Sequence, residues 1–173
     1  MSKIFRPSRV AFKGKLLSLV TQRRRLPNGH VATVEIVEHP GAVVIVPFLK
    51  KDTVVLIRQY RPAIKAYLYE FPAGTINKGE KPSSCAGREL IEETGFRAQK
   101  LTRLGEIYPV PGYSTEIITI YKAQGLRPAT APRDADEIIT TGVFGKAKIK
   151  SFFKSGRIKD AKTICALALC GWV

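Results

Sequence analysis

Residues 74–96 of the chain read GTINKGEKPSSCAGRELIEETGF. The stretch concentrates acidic side chains in a protein whose formal net charge is +15 at pH 7. Its four glutamates are Glu80, Glu89, Glu92 and Glu93. Carboxylates this close together repel one another unless water separates them or a cation lies among them. The segment is therefore the first place to look for a functional site.

The same stretch carries signals for a helix. Pro82 suits an early helical position and Gly95 suits the left-handed residue that ends a helix, which predicts a helix over residues 83–94. On that helix, Glu89 and Glu93 lie one turn apart on the same face. Hard divalent cations such as Mg²⁺ and Mn²⁺ prefer oxygen ligands of this kind. Helix geometry alone leaves two explanations open, a solvated acidic face and a metal site.

Composition indicates a globular protein with one core and at most a small appended subdomain. The chain has 173 residues, 45% of them hydrophobic, and no apolar run reaches the roughly 18 residues of a membrane span. Its three cysteines fit no CxxC spacing. We therefore expect reduced core thiols in a cytoplasmic protein, with no membrane partner.

The first 40 residues differ from the rest in composition. They hold eight Lys and Arg residues and no acid before Glu35, a composition shared with organellar transit peptides. Two extended segments around the turn Pro27-Asn28-Gly29 instead predict a β-hairpin of the mature fold. We expect an N-terminal β subdomain at residues 1–40 and a second domain at residues 41–173.

The remaining sequence combines strand and helix patterns. Strands are predicted before the acidic helix by AVVIVPFL, TVVLIRQY and YLYEFPAG, and after it by KLTRLGEIYPV, EIITIYKAQGL and EIITTGVF. Two C-terminal helices are predicted by KAKIKSFFKSG and DAKTICALALCGW. This order indicates an α/β or α+β fold, in which helices pack on a mixed sheet.

The positive charge predicts an anionic ligand without identifying it. A surplus of Lys and Arg speeds encounters with any phosphate, whether on a nucleotide, RNA or DNA, although many surface lysines serve only solubility. The sequence shows no zinc-finger spacing, no paired-aromatic RNA-binding strand and no clear recognition helix. Nucleic acid is therefore a weaker expectation than a small phosphorylated substrate.

The spacing of the acidic stretch resembles the signature of the Nudix hydrolases. Gly74 is followed after five residues by Glu80, and after seven more by REL, any residue, EE, any residue, Gly95 and Phe96, so nine specified positions match. The resemblance implies an α/β/α sandwich around a mixed β-sheet, with a small N-terminal β subdomain. It also implies hydrolysis of a nucleoside diphosphate linked to another group.

The resemblance further implies a metal site for Mg²⁺ or Mn²⁺ and assigns roles within it. Arg88 matches the arginine that orients the acids, and Glu80 matches a supporting position. Arg88 and one of the glutamates, Glu93, are also assigned to catalysis. The implied metal ligands are the backbone carbonyl of Ala73 and the carboxylates of Glu89, Glu92 and Glu93.

Segments outside this stretch resemble one branch of the family, the ADP-ribose pyrophosphatases and related nucleoside diphosphate sugar hydrolases. They are RQYRPA at 58–63, YEFPAGTI at 69–76, the proline at position 111, RDADEII and GRIKDAKTICALAL. The resemblance implies Glu137 as the catalytic base, with Asp136 as the competing residue. A structural role, as a strand-end charge or a packed ring, is the alternative for each implied substrate contact. Those contacts are Arg58, Arg61, Glu70, Glu116 and Tyr113.

The leading hypothesis is metal-dependent hydrolysis of ADP-ribose, or a similar nucleoside diphosphate sugar, to a nucleoside monophosphate and a sugar phosphate. The positive charge favours an alternative enzyme that removes pyrophosphate from RNA 5′ ends, which RQYRPA and the proline at position 111 disfavour. A nucleotide sensor without turnover is a third hypothesis, which the intact set of glutamates disfavours. Relatives in this branch use the N-terminal subdomain to build a homodimer, so the resemblance implies a homodimer here.

Overall fold

Short strands flank a central helix, and two further helices lie near the C-terminal end. The computed structural model describes residues 9–132 and 138–173. The strands are β1 (Arg9–Lys13), β2 (Ser18–Arg25), β3 (Val31–Glu38), β4 (Ala42–Lys50), β5 (Thr53–Arg61), β6 (Ala66–Glu70), β7 (Ala73–Thr75), β8 (Phe96–Arg97), β9 (Lys100–Ile107), β10 (Ile118–Gln124), β11 (Arg127–Pro128) and β12 (Ile139–Gly145). The helices are α1 (Pro82–Thr94), α2 (Lys146–Lys154) and α3 (Ala161–Leu169), and Pro62–Ile64 forms a 3₁₀ turn.

A large mixed sheet forms the centre of the molecule. Its strands follow the order β12-β5-β4-β10-β9, with β6 paired to β5 and β7 paired to β4. Strands β4 and β10 run parallel, whereas the other pairs in this sheet are antiparallel. The small strands β8 and β11 pair separately. The predicted mixed sheet is therefore present.

Strand β4 divides the hydrophobic core into two layers. Successive side chains of a strand point to opposite faces, so a strand buried on both faces has an uninterrupted apolar sequence. Val43 and Ile45 pack with Leu90 of α1. Val44 and Val46 pack on the other face with side chains of α2 and α3, among them Ile149, Phe152, Ala166 and Leu167. Helices thus cover both faces, which gives the α/β/α sandwich that was predicted.

Helix α1 ends where the sequence predicts. Gly95 has a φ of 73°, in the left-handed region that favours glycine, and its N–H donates to the carbonyl of Ile91 at 2.8 Å. The helix begins at Pro82, whose missing N–H costs nothing in the first turn. The acidic positions are therefore presented from a helix with defined ends.

The N-terminal segment is a three-stranded antiparallel sheet rather than a hairpin alone. Strands β2 and β3 are the two predicted extended segments, and β1 adds a third strand against β2. All five residues of β1 are exposed, so the strand has no core-facing pattern that the sequence could reveal. The backbone of Val37 in β3 bonds the loop at Tyr113 and Thr115, which joins this sheet to the central one. A domain division at residue 40 and its use in dimerisation stay predictions.

The predicted strand YLYEFPAG is two strands in the structure. Strand β6 pairs with β5, and after Phe71 and Pro72 the chain continues as β7, which pairs with β4. The chain therefore crosses between neighbouring strands at the point where the acidic stretch begins. Among the described residues, no helix has both the length and the apolar character needed to cross a membrane.

Candidate active site

A cavity of about 540 Å³ opens beside α1 and is lined mainly by polar and charged residues. Strands β4, β5 and β7 and helices α1 and α3 each contribute to its lining. The lining residues that carry chemistry are Gln59, Arg61, Ala73, Gly74, Arg88, Glu89, Glu92 and Lys162. A single concave site therefore brings together residues from four separate parts of the chain.

The acids of α1 face strand β7. Glu89 and Glu93 are buried, 8% and 1% exposed, and Glu92 lies at the cavity wall. Glu93 Oε2 accepts a hydrogen bond from the backbone N–H of Ala73 at 2.8 Å. This bond fixes the end of α1 against the strand that opens the acidic stretch. The predicted one-face arrangement of the acids is thus present in the structure.

Arg88 holds three of the acids at once, and we call these four residues the Arg88 cluster. Its Nη1 donates to Glu89 Oε1 at 2.7 Å and to Glu92 Oε2 at 2.9 Å. Its Nε and Nη2 donate to the two oxygens of Glu80 at 3.0 and 3.1 Å. A planar guanidinium suits such two-pronged contacts. Arg88 is therefore hydrogen-bonded to three of the acids, and its role in orienting them for metal binding stays a prediction.

The Arg88 cluster shifts the ionisation of its members. Hydrogen bonds from Arg88 lower the pKa of the Glu80 carboxyl, and the hydrogen bond with Glu80 raises the pKa of Arg88. Glu80 also accepts from the backbone N–H of Asn77 at 2.9 Å. Nearby Cys85 is fully buried, and burial raises the pKa of its thiol to about 12. Glu80 therefore ties the loop to Arg88 as a carboxylate, and Cys85 stays a neutral core thiol.

Gly74 leaves the space that Glu89 fills. A Cβ at position 74 would overlap the carboxylate of Glu89, which lies against the glycine backbone. Gly74 has no positive φ that would require glycine. The reason for glycine at this position is the close approach of the Glu89 carboxylate to its backbone. The first position of the sequence signature is therefore explained by packing against a candidate metal ligand.

A second ion cluster, which we call the Glu70 cluster, is formed by Glu70, Arg61, Lys162 and Asp160 and reaches the same cavity through Arg61 and Lys162. Arg61 donates to Glu70 through Nε at 2.8 Å and through Nη2 at 2.5 Å. Lys162 Nζ donates to Glu70 Oε2 and, at 2.7 Å, to Asp160 Oδ1. Glu70 is fully buried. Two cations from β5 and α3 are thus fixed on one buried carboxylate.

Burial by itself raises the pKa of Glu70, but the hydrogen bonds and positive charges of Arg61 and Lys162 outweigh it and leave the pKa below its ordinary value. The hydrogen bond to Glu70 raises the pKa of Arg61. Glu70 and Arg61 therefore form a charged, hydrogen-bonded pair across the neutral pH range. A buried charge with two opposite partners avoids the penalty of an unpaired ion.

The implied substrate contacts separate into two groups. Arg61 lines the cavity. Glu70 is enclosed by protein and holds Arg61 and Lys162, so in this structure it supports cavity residues rather than lining the cavity itself. Arg58 lies on the opposite face of β5, where its guanidinium stacks 4.2 Å from the ring of Tyr67. Positions 58 and 61 differ by an odd number, and side chains of a strand alternate between its faces, so the two arginines point apart.

The remaining predicted residues lie outside the cavity lining or outside the described residues. Glu116 Oε1 lies 3.8 Å from His39 Nδ1, and the side chain of Tyr113 is exposed on the loop that contacts β3. Neither lines the cavity. Glu137 and its competitor Asp136 fall in residues 133–137, outside the described residues.

Two cavity residues were not predicted, Lys162 and Gln59. One feature of the sequence could have indicated Lys162. A lysine in the first turn of a helix opposes the helix dipole, so its presence there is not explained by helix stability. Asp160, which caps α3 through the N–H of Thr163 at 2.9 Å, marks that helix start in the sequence. Gln59 lies two positions before Arg61 on β5, so strand alternation places both side chains on the same face of the strand.

The oxygen donors in and beside the cavity are of the type that a hard divalent cation takes. Glu89, Glu92 and Glu93 offer oxygen atoms, which Mg²⁺ and Mn²⁺ prefer. Arg88 Nη1 places a positive group between Glu89 and Glu92. Among residues 9–132 and 138–173, no three His, Cys, Asp or Glu side chains converge as a complete metal site.

Known proteins resemble this chain over most of its length. One relative, named ADP-ribose pyrophosphatase, from Bacillus subtilis (strain 168), is 35% identical over 158 residues, which cover 90% of this chain and 85% of the relative. Another, named methanol dehydrogenase activator, from Bacillus methanolicus, is 34% identical and covers 96% and 94% of the two chains. A crystal structure of an ADP compounds hydrolase superposes with a TM-score of 0.82 at 27% identity, covering 96% of this chain and 90% of that one.

The NUDIX domain family matches residues 38–165, from the end of β3 into α3. This range contains both the Arg88 cluster and the Glu70 cluster. The family assignment and the geometry of the cavity therefore concern the same part of the molecule, and the chain belongs to the NUDIX domain family.

Proposed function

We propose that the protein is a divalent-metal-dependent pyrophosphatase that hydrolyses ADP-ribose or a related nucleoside diphosphate sugar. Water adds across the diphosphate, and the products are a nucleoside monophosphate and a sugar phosphate. One observation carries the proposal: the carboxylates of α1 gather against β7 in a cavity that also presents Arg61 and Lys162. The names of the relative from Bacillus subtilis and of the superposed crystal structure point to the same class of substrate.

The carboxylates and the basic side chains of the cavity suit different requirements of diphosphate hydrolysis. A diphosphate repels an attacking hydroxide, so its oxygens must be neutralised before attack. Nudix hydrolases generally need divalent metal ions, and the residues that would hold them here are Ala73, Glu89, Glu92 and Glu93. The chemistry that such ions supply is neutralisation of phosphate oxygens and a lower pKa for the attacking water.

The chain's own residues supply orientation. Arg88 orients Glu89 and Glu92, and the Ala73 N–H holds Glu93 at the same wall. We propose that Arg61 contacts phosphate oxygens, because its guanidinium lines the cavity and is fixed by Glu70. We propose Glu137 as the base that takes the proton of the water, with Asp136 as the competitor. Both assignments of the base rest on the sequence resemblance.

The metal ion, the oligomeric state and the cellular compartment are part of the same proposal. We propose Mg²⁺ or Mn²⁺ as the metal, because both take the oxygen ligands that α1 offers. We propose a homodimer built through the N-terminal sheet, whose edge strand β1 exposes Val10 and Phe12. A reducing cytoplasm is supported by Cys85, Cys165 and Cys170, which are all free thiols.

The test is a panel of substrates assayed side by side with Mg²⁺ and with Mn²⁺. It contains ADP-ribose, other nucleotide sugars, dinucleotides and 5′-triphosphorylated RNA. We expect AMP and ribose 5-phosphate from ADP-ribose, with little release of pyrophosphate from RNA. If no monophosphate appears from ADP-ribose or any other nucleotide sugar, the proposal is wrong. Release of pyrophosphate from RNA alone would favour the RNA 5′-end enzyme, which the charge of +15 also suits.

A further inference from the structure

A second cavity, of about 310 Å³, lies at the end of β4 opposite the candidate active site. It forms where β4 turns into β5 and where β10 ends, and its lining includes Phe48, Lys50, Lys51 and Lys122. Strand β4 connects the two sites, since Ala42 at its start lines the first cavity and Lys50 at its end lines the second. At about 3.3 Å per residue, the nine residues of β4 separate the two cavities by about 26 Å.

Two aromatic rings beside the second cavity hold lysine side chains in place. Phe48 and Trp172 pack edge to face with their ring centres 5.3 Å apart, and they are 8% and 4% exposed. Lys122 Nζ lies 4.7 Å from the centre of the Phe48 ring, and Lys146 Nζ lies 5.6 Å from that of Trp172. A ring face attracts the ammonium group, while the alkyl stem covers apolar surface and leaves the charge in water. Both ammonium groups are therefore held at defined positions on the surface.

Lys146 is joined to the cavity lysines through the backbone as well. Its N–H donates to the carbonyl of Asp52, in the turn between β4 and β5, at 2.9 Å. The first residue of α2 thus lies against the turn that carries Lys50 and Lys51. We call Lys50, Lys51, Lys122 and Lys146 the lysine surface.

The charge of the lysine surface is not balanced by the protein around it. Asp52 is the one acid of the turn. Within residues 9–132 and 138–173, the ion pairs join other residues, and none of the four lysines takes part in one. Solubility requires charge but does not require four cations to gather around one cavity, where they repel each other. The arrangement therefore suits an anion that carries several charges.

We propose that the lysine surface binds the phosphate backbone of a single-stranded nucleic acid, independently of the candidate active site. A strand brings one phosphate charge with each nucleotide, so it can meet several lysines at once. A small phosphorylated substrate bound here would be about 26 Å from the carboxylates of α1, by the length of β4. A membrane fits less well, because surfaces that bind lipid insert apolar side chains and the rings of Phe48 and Trp172 are buried.

The test measures binding of a fluorescein-labelled oligouridylate by fluorescence anisotropy. The RNA has a 5′ hydroxyl group and the buffer contains a chelator, so binding requires neither a 5′ pyrophosphate nor a metal ion. The variant combines Lys50→Glu with Lys51→Glu, which reverses two exposed charges. The matched control combines Arg23→Glu with Arg24→Glu, which makes the same change in net charge at exposed positions of β2. Thermal melting checks that both proteins are folded.

We expect the lysine variant to weaken binding of the RNA at least tenfold and the arginine control to weaken it less than threefold. The slope of the logarithm of affinity against that of salt concentration is about 0.7 for each phosphate contact of a single strand, so it should become shallower by about 1.4 in the lysine variant. Equal losses in the two variants would mean that only net charge matters. That result would overturn the inference, as would a wild-type protein that binds no RNA.

Oligothymidylate of the same length distinguishes the two sources of such a backbone. Contacts to phosphate alone carry no information about the sugar or the base, so we expect both strands to bind and both to lose affinity in the lysine variant. Stronger binding of one strand would identify RNA or DNA as the preferred partner of the same surface. Sedimentation with phosphatidylserine vesicles tests the membrane, and a protein that binds the vesicles but neither strand would contradict the proposal.

A measurement on the wild-type chain covers the case in which the lysine variant does not fold. Limited acetylation followed by mass spectrometry reports how reactive each lysine is. We expect the oligouridylate to slow modification of Lys50 and Lys51 at least fivefold and to leave the exposed Lys13 of β1 unchanged. Equal reactivity with and without the RNA would refute the assignment. A protein that binds RNA through these lysines but hydrolyses no nucleotide sugar would refute the proposed function alone.

Discussion

The two ion clusters of the cavity are opposite in their arrangement of charge. In the Arg88 cluster, three carboxylates surround one guanidinium, which leaves an excess of two negative charges. In the Glu70 cluster, two cations are paired with two carboxylates, so no charge is in excess. The first cluster lies on one helix and the loop before it, whereas the second draws on β5, β6 and the start of α3.

This difference indicates two ways of preparing a site for a diphosphate and its metal ions. An excess of negative charge attracts any cation, and hard cations most of all, so the Arg88 cluster works through its field. A cluster without excess charge attracts ions less through its overall field, and what it offers an anionic ligand is the fixed direction of its charged N–H donors. Loss of a charge from the Arg88 cluster should therefore reduce activity more than loss of a donor from the Glu70 cluster.

Glu93→Gln tests the carboxylate that is most buried in the acidic wall. Glutamine keeps an oxygen for the Ala73 N–H but loses the negative charge, so the fold should persist while activity on ADP-ribose falls about a thousandfold. Steady-state rates measure the loss, and circular dichroism with thermal melting checks the fold. Glu106→Gln, at an exposed acid of β9, is the matched control and should change the rate less than twofold. Activity within tenfold of the wild type would show that the charge of Glu93 is dispensable.

Gly74→Ala tests the contact between β7 and the acidic wall. The added methyl group overlaps the Glu89 carboxylate, so Glu89 must move, and misplacement of a site residue by about 1 Å costs about a hundredfold in rate. Gly87→Ala is the control on α1, because a Cβ there meets only Leu101, at 4.0 Å. It should keep full activity and raise the free energy of unfolding by about 1 kcal/mol, since alanine favours a helix. Equal activity losses in both variants would disprove the packing explanation.

The sequence predicts the Arg88 cluster because its members lie close together in the chain. Regular spacing on one helix is enough to place the acids on one face, and the spacing of Gly74 and Glu80 matches a known signature. The mixed sheet and its covering helices also follow from apolar runs such as that of β4, which is buried on both faces. What these regions share is that short-range patterns determine their structure.

The Glu70 cluster could not be predicted in the same way. Glu70 and Lys162 are 92 positions apart and meet only when α3 packs against the central sheet. The alternation of side chains along a strand, however, places Arg58 and Arg61 on opposite faces of β5. This difference could have been predicted from the sequence without any tertiary structure. Strand β1 was missed for another reason, since an exposed edge strand of five residues shows no buried face.

Arg61→Ala and Arg58→Ala test whether substrate contacts only the face of β5 that lines the cavity. Arg61 lines the cavity, so its removal should lower kcat/KM for ADP-ribose at least tenfold, consistent with the loss of charged hydrogen bonds worth about 1.5–3 kcal/mol. Arg58 stacks on Tyr67 on the other face of β5, so its removal should change kcat/KM less than threefold. Steady-state kinetics on both variants measure the difference. A loss at Arg58 as large as that at Arg61 would mean that substrate reaches both faces of the strand.

Glu80→Gln tests how the Arg88 cluster contributes to stability. Because hydrogen bonds from Arg88 lower the pKa of Glu80 in the folded protein below its ordinary value of 4.5, the carboxylate favours folding at pH values above 4.5. That contribution must disappear as the pH falls through the lowered pKa. We expect the wild type to exceed Glu80→Gln by about 1 kcal/mol or less in free energy of unfolding at pH 7, and by progressively less as the pH falls below 4.5. Urea unfolding at several pH values, in a buffer with a chelator, measures the gap. A gap that stays constant on acidification would mean that Glu80 acts through its shape and not through its charge.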